Sequence, residues 1–167
     1  MEFITHENFL EMQVKTPLYY CDKRWLYYSD VINFIKEYFP DAKTSLELGC
    51  LDLPIVKNSA TMDIVDNSNP TYLMDATKTP WTMIEDKQYD VFIGLQVFEH
   101  LGDSQVEVFK EVQRTCKYAV LSFPWMWHCP GNIHHMICTP QIKEWTCDQK
   151  PIHFTKKGSR IIYLFKF

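Results

Sequence analysis

Tyr89-Asp90-Val91-Phe92-Ile93-Gly94-Leu95-Gln96-Val97-Phe98-Glu99-His100-Leu101 opens on a near-continuous apolar run and closes on a carboxylate and an imidazole. A run of that kind is expected of a strand buried on both faces of a parallel sheet. Toward the carboxyl end, residues 104–116 place Val106, Phe109, Val112 and Cys116 at helical spacing, with Asp103 or Ser104 as the cap. Residues 118–123 read as the next buried strand, ended by Pro124, and Thr139-Pro140 opens a short helix through Trp145. Residues 152–155 and 160–167 read as strands joined by the turn Lys156-Lys157-Gly158-Ser159. Toward the amino end, residues 44–49, 60–65 and 71–74 read as three more strands. Ser29-Asp30 offers an N-cap for a helix carrying Val31, Ile32, Ile35 and Phe39, which Pro40 stops.

Strands alternating with helices imply an α/β doubly wound sheet. Parallel neighbours need a crossover, whereas a turn of two to four residues can only join an antiparallel pair. The expected fold is therefore a mostly parallel seven-stranded sheet finished by an antiparallel hairpin. In such a sheet ligands bind beyond the carboxyl ends of the strands, at the switch point. The residues that fall there are Glu47-Leu48-Gly49-Cys50, Asp63, Asp75-Ala76 and Gln96-Val97 with Glu99-His100. Three acids at strand ends suit a ligand with hydroxyls, an amine and a cationic centre. Asp63 is placed to accept from a ribose and Asp75 from an adenine amino group.

Composition narrows the function classes. The chain has 167 residues, the size of one domain, expected here over 1–167 with residues 1–28 as an aromatic-rich extension or lid. Its 5 Trp, 9 Tyr and 11 Phe exclude a chain that never collapses. No apolar run is long enough to span a bilayer, so no membrane association is expected. The first seven residues have neither a basic nor an apolar leader segment, which predicts a cytoplasmic protein whose six cysteines stay thiols. A net charge of -4, with no basic run denser than Lys156-Lys157 and nearby Arg160, argues against nucleic acid as partner.

The succession Leu46-Glu47-Leu48-Gly49-Cys50, Met62-Asp63-Ile64, Met74-Asp75-Ala76-Thr77-Lys78-Thr79-Pro80-Trp81 and the stretch from Tyr89 to Leu101 resembles the ordered motifs of class I S-adenosylmethionine-dependent methyltransferases, in the small type-11-like branch. The resemblance covers residues 44–124, and residues 152–167 by pattern. It implies a Rossmann-like methyltransferase fold, S-adenosylmethionine as cofactor and methyl transfer to a small-molecule or glycan-type acceptor. It also implies cofactor-binding roles for Glu47, Gly49, Cys50, Asp63, Asp75, Ala76, Gln96 and Val97, with Trp81 over the adenine and Glu99 and His100 at the acceptor mouth. The chain departs from the pattern where the family has two further glycines after Gly49; Leu51 and Leu53 stand there, followed by Pro54. Those leucines favour the alternative of a degenerate fold serving as an interaction module. An NAD-dependent oxidoreductase is disfavoured by the missing Gly-x-Gly-x-x-Gly and by the hairpin. The interval from Glu47 to Asp63 leaves room for a first helix of one or two turns at most.

If the acceptor is a hydroxyl or a protonated amine, a base is needed, and histidine suits neutral pH. His100 and His135 are the candidate catalytic residues, with His134 as an alternative to His135. The loop holding His128, Cys129, His134, His135 and Cys138 has enough ligands for zinc. Its Cys-x4-His-His-x2-Cys spacing lacks a Cys-x2-Cys knuckle, so no metal is assigned.

Overall fold

The computed structural model describes residues 1–17, 19–66, 69–128, 131 and 134–167. The central run forms strand β4 (Tyr89–Leu95), flanked by β1 (Ser45–Leu48) and β5 (Cys116–Pro124). Beyond β1 lie β2 (Ala60–Asp63) and β3 (Tyr72–Leu73); beyond β5 lie β7 (Arg160–Lys166) and β6 (His153–Lys157). The order is β3-β2-β1-β4-β5-β7-β6, parallel from β3 to β5, with β7 antiparallel to both of its neighbours. The fold class and the terminal hairpin are as expected.

Both faces of the sheet are covered. In β4, Val91 and Ile93 enter one apolar cluster and Phe92 the other; in β5, Val120 parts in the same way from Ala119 and Leu121. Burial on both sides is why these strands read as unbroken apolar runs. One layer consists of α1 (His6–Lys15) and α2 (Asp22–Tyr38), which bring Phe9, Tyr28, Val31 and Ile35 to the sheet. The opposite layer is α3 (Gln105–Thr115) with α4 (Thr139–Trp145), packing through Val108, Phe109, Val112, Ile142 and Trp145. Each such side chain, fully buried, stabilises the fold by roughly 1.5–3 kcal/mol.

The structure departs from the expected elements in three places. Helix α2 begins at Asp22 with Cys21 as N-cap, so Ser29 and Asp30 lie inside it. Tyr27 and Tyr28 continue the buried stripe of Val31, Ile32 and Ile35 backwards, and Ser29 is reconciled to the helix by donating to the Leu26 carbonyl at 2.8 Å. Helix α1, not expected from the sequence, starts with a reciprocal capping pair between Thr5 and Asn8. No helix joins β1 to β2. The loop instead takes the amino-terminal segment as its partner: Ile4 N donates to Ile55 O at 3.0 Å and Lys57 N to Glu2 O at 2.9 Å. Leu53, Ile55 and Val56 join the α1–α2 cluster in place of helical side chains. Among the described residues, no helix is long and apolar enough to cross a membrane.

Candidate functional site

Parallel strands end along one rim, and register decides which residues meet there. Leu48 of β1 sits opposite Met62 of β2 and Gly94 of β4, so Gly49, Asp63 and the turn after Leu95 follow side by side. Met74 N donates to Asp63 O at 2.9 Å, which carries Asp75 to the same rim. Gly49, Asp63, Asp75, Gln96 and Val97 are thus brought together by four adjacent strands.

Gly49 has φ +65°, and a Cβ there would lie 3.0 Å from Val97 Cγ2, so the close approach of this loop to β4 needs glycine. Gln96 holds a left-handed backbone (φ 56°) without being glycine. Two bonds keep it there, its N–H to Ser122 O and its Nε2 to Ser122 Oγ, each at 3.0 Å. A backbone in this region costs about 1–3 kcal/mol and persists only when its surroundings over-determine it. Asp63 is buried, with Oδ1 accepting from Val65 N at 3.1 Å. Asp75 is half-buried and accepts from the Thr77 hydroxyl (2.7 Å) and amide (2.9 Å), which hold its carboxyl below the usual range. The apolar side chains of Ile64, Val65 and Leu73 stand exposed beside these acids.

Glu47 is buried and accepts from Ile55 N and Val56 N, both at 2.8 Å. Burial nevertheless pushes its carboxyl up to about 7. With one amide on each oxygen, Glu47 builds the β1–β2 loop from within. Leu53 packs into the α1–α2 cluster, and Leu51 (φ 54°) is exposed. Between the Gly49–Cys50 turn and Tyr28 a cavity of about 10 Å³ remains, the room of one water. Cys50 is half-buried, and burial raises its thiol. Ala76 is buried, its carbonyl accepting from Trp81 Nε1 at 2.9 Å. Trp81 is fully enclosed in the core and presents no face to a ligand, which corrects the expectation that it covers an adenine.

Above the rim, Arg24 lies flat on Tyr19, its guanidinium carbon 3.7 Å from the ring centroid. Its Nε donates to Tyr19 O and its Nη1 to Tyr27 Oη, each at 2.8 Å. Burial raises the Tyr19 hydroxyl, and the charges of Arg24 and, more weakly, Asp63 reach it. Tyr20 is buried in the α1–α2 cluster, and its hydroxyl has no partner among the described residues.

After β4, residues Phe98–His100 form a 3-10 turn. Glu99 is buried with Oε2 unpartnered among the described residues, and burial pushes its carboxyl up to about 7 against the pull of Arg160 and Arg24. His100 is more than half exposed, its Nε2 4.0 Å from Glu99 Oε1, and partial burial lowers its pKa. His134 docks on this turn through Nε2 and the Gly102 carbonyl and lies against Trp145. His135 is exposed, edge-on to His128. Cys129 lies outside the described residues, among which no three His, Cys, Asp or Glu side chains group as metal ligands. Sequence reasoning missed Arg24 and Arg160, because each sits in a short basic stretch that reads as a solvated face.

Comparison with solved structures gives the fold a precedent. A protein from Pyrococcus horikoshii OT3 superposes with a TM-score of 0.63 at 13% identity, over 87% of this chain and 92% of that one. A SAM-dependent methyltransferase from Aquifex aeolicus gives 0.55 at 13% identity, over 72% and 80%. The N-terminal domain of EvdMO1, solved in the presence of SAH and D-fucose, gives 0.54 at 11% identity, over 83% and 82%. The chain has the class I methyltransferase fold. No protein-family model matches the sequence, and no curated protein matches it.

Proposed function

We propose that the chain binds S-adenosylmethionine across the carboxyl ends of β1 to β4 and transfers its methyl group to a small-molecule or glycan-type acceptor. The observation that carries this reading is the convergence of Gly49, Asp63, Asp75, Gln96 and Val97 on one rim of a methyltransferase fold. The donor set fits the cofactor. Among the described residues Asp63 commits only Oδ1, leaving Oδ2 for ribose hydroxyls. Asp75 with the Ala76 backbone faces the adenine amino group, and Ile64 and Leu73 supply an apolar border. Glu47 positions the Gly49–Cys50 turn, and Gln96 and Val97 line the methionine side.

The cofactor supplies a methyl group on a sulfonium that already carries its leaving group. The protein's task is then alignment, worth roughly 7–11 kcal/mol in favourable cases. His100, kept neutral at pH 7 by partial burial, accepts the acceptor's proton, with Glu99 Oε1 4.0 Å from its Nε2. His135, on the loop that His134 fastens to the same turn, is the second candidate base. The D-fucose in the EvdMO1 structure supports a sugar-like acceptor by analogy of fold.

Calorimetric titration with S-adenosylhomocysteine tests the reading. Saturable heat with a matching thermal shift is expected. Neither at millimolar ligand would overturn it and leave the interaction module, which the narrow space at Gly49–Cys50 favours.

A further inference from the structure

A second cavity of about 320 Å³ opens where the first turns of α2 meet the β6–β7 hairpin, lined by Lys23, Arg24, Tyr27, Lys157, Gly158 and Arg160. Four of its walls are cations, and no carboxylate lines it. The chain carries 21 Asp and Glu against 17 Lys and Arg, so carboxylates were available and stand elsewhere.

The neighbours leave most of that charge uncompensated. Among the described residues, Lys157 alone of the four pairs with an acid, Asp30 at 2.9 Å. Arg24 is held by the neutral oxygens of Tyr19 and Tyr27. Arg160 donates to the Ser159 carbonyl and hydroxyl at 3.2 and 3.3 Å and faces the Trp127 ring at 5.2 Å. Lys23 is exposed and has no ion pair among the described residues. The first turn of the 17-residue α2 lines the same cavity through Lys23 and Arg24, and its N-cap, Cys21, also on the wall, makes no side-chain capping bond. Against these stand Asp22 in that first turn, engaged by Gln13 Nε2, and buried Glu99, which feels both Arg24 and Arg160. Guanidinium groups held by neutral acceptors keep free N–H donors in the fork that suits phosphate or carboxylate.

Position ties the cavity to the rim. Arg160 pairs with Pro124 at the carboxyl end of β5, and Arg24 covers Tyr19, whose hydroxyl the charge of Asp63 reaches. We infer that this basic cavity holds the acceptor by an anionic group, a phosphate or a carboxylate, so that the substrate is a small acid with its methyl-accepting atom turned toward the β1–β4 crevice. The inference rests on the methyltransferase reading for its role and on the cavity itself for its chemistry. A cavity of this size takes the anionic group with a few carbons.

The test is calorimetry on the full chain with pyrophosphate, citrate and neutral D-fucose, alongside S-adenosylhomocysteine. Saturable binding of pyrophosphate or citrate is expected, the tighter of the two telling phosphate from carboxylate, with none for D-fucose. Lys23→Gln on α2 and Arg160→Gln on β7 should each weaken it at least tenfold while S-adenosylhomocysteine affinity holds. Two variants on separate elements, checked by circular dichroism, guard against one failing to fold. No saturable anion binding, equal binding by wild type and variants, or tighter binding of a short RNA than of pyrophosphate would overturn the inference. Anion binding without S-adenosylhomocysteine binding would leave an anion site and overturn its role as acceptor pocket. The reverse pattern would remove the pocket and spare the cofactor reading.

Discussion

Asp63 spends one carboxylate oxygen on the Val65 amide at 3.1 Å and has no partner for the other among the described residues. Asp63→Ala should weaken S-adenosylhomocysteine binding by about 1.5–3 kcal/mol, the worth of bonds to a charged group; calorimetry returning the wild-type affinity would remove Asp63 from the site. Glu99 makes a prediction of a different kind. Burial raises its carboxyl from the ordinary 4.5 to about 7 in the folded protein. The folded state therefore holds a proton that the unfolded chain gives up near pH 4.5. Stability from this residue is full below that pH and falls as pH rises toward 7, by on the order of 3 kcal/mol. Glu99→Gln cannot lose a proton, so its melting temperature should gain on the wild type between pH 5 and 8. Parallel melting curves over that range would refute the assignment.

Helix α1 buries one side chain, Phe9, which packs against Tyr20, Trp25 and Tyr28. Phe9→Ala should cost about 3–5 kcal/mol and release α1, seen as faster amide exchange across the helix with β4 and β5 still protected; protected α1 amides would mean that the capping pair suffices. The strands and the terminal hairpin were legible because double burial writes continuous apolar runs into β4, β5 and β7, which no other element imitates. Helix α1 was not, since one apolar contact sets no period. The start of α2 was misplaced because Ser29-Asp30 has the chemistry of a cap, while the buried positions before it are tyrosines that read as a mixed aromatic cluster. The helix-free β1–β2 connection could not be read either, because its partner, residues 2–4, lies some fifty positions away. At the rim, Gly49, Asp63 and Asp75 were legible as strand-end residues. The basic cavity was not, for Arg24 and Arg160 meet only through the tertiary fold.

At the scale of the whole molecule, an open sheet leaves two outer strands with unpaired backbone groups. One is β3, only two residues long. The other is β6, five residues with Phe154 exposed and Lys156 and Lys157 following it. A rim that short offers little to pair with, and a rim that carries adjacent lysines repels its own copy. Lys156 also rests its ammonium 4.9 Å from the Trp125 ring, which gives the charge a fixed place along the strand. Lys156→Val should leave the unfolding free energy within about 1 kcal/mol of the wild type's yet produce concentration-dependent aggregates in light scattering; a monodisperse variant at high concentration would mean that β6 is guarded by something else. The same two lysines thus act as insulation. Pairing this strand with that of another copy would bring like charges edge to edge, and that barrier thins as added salt shortens the reach of the charges.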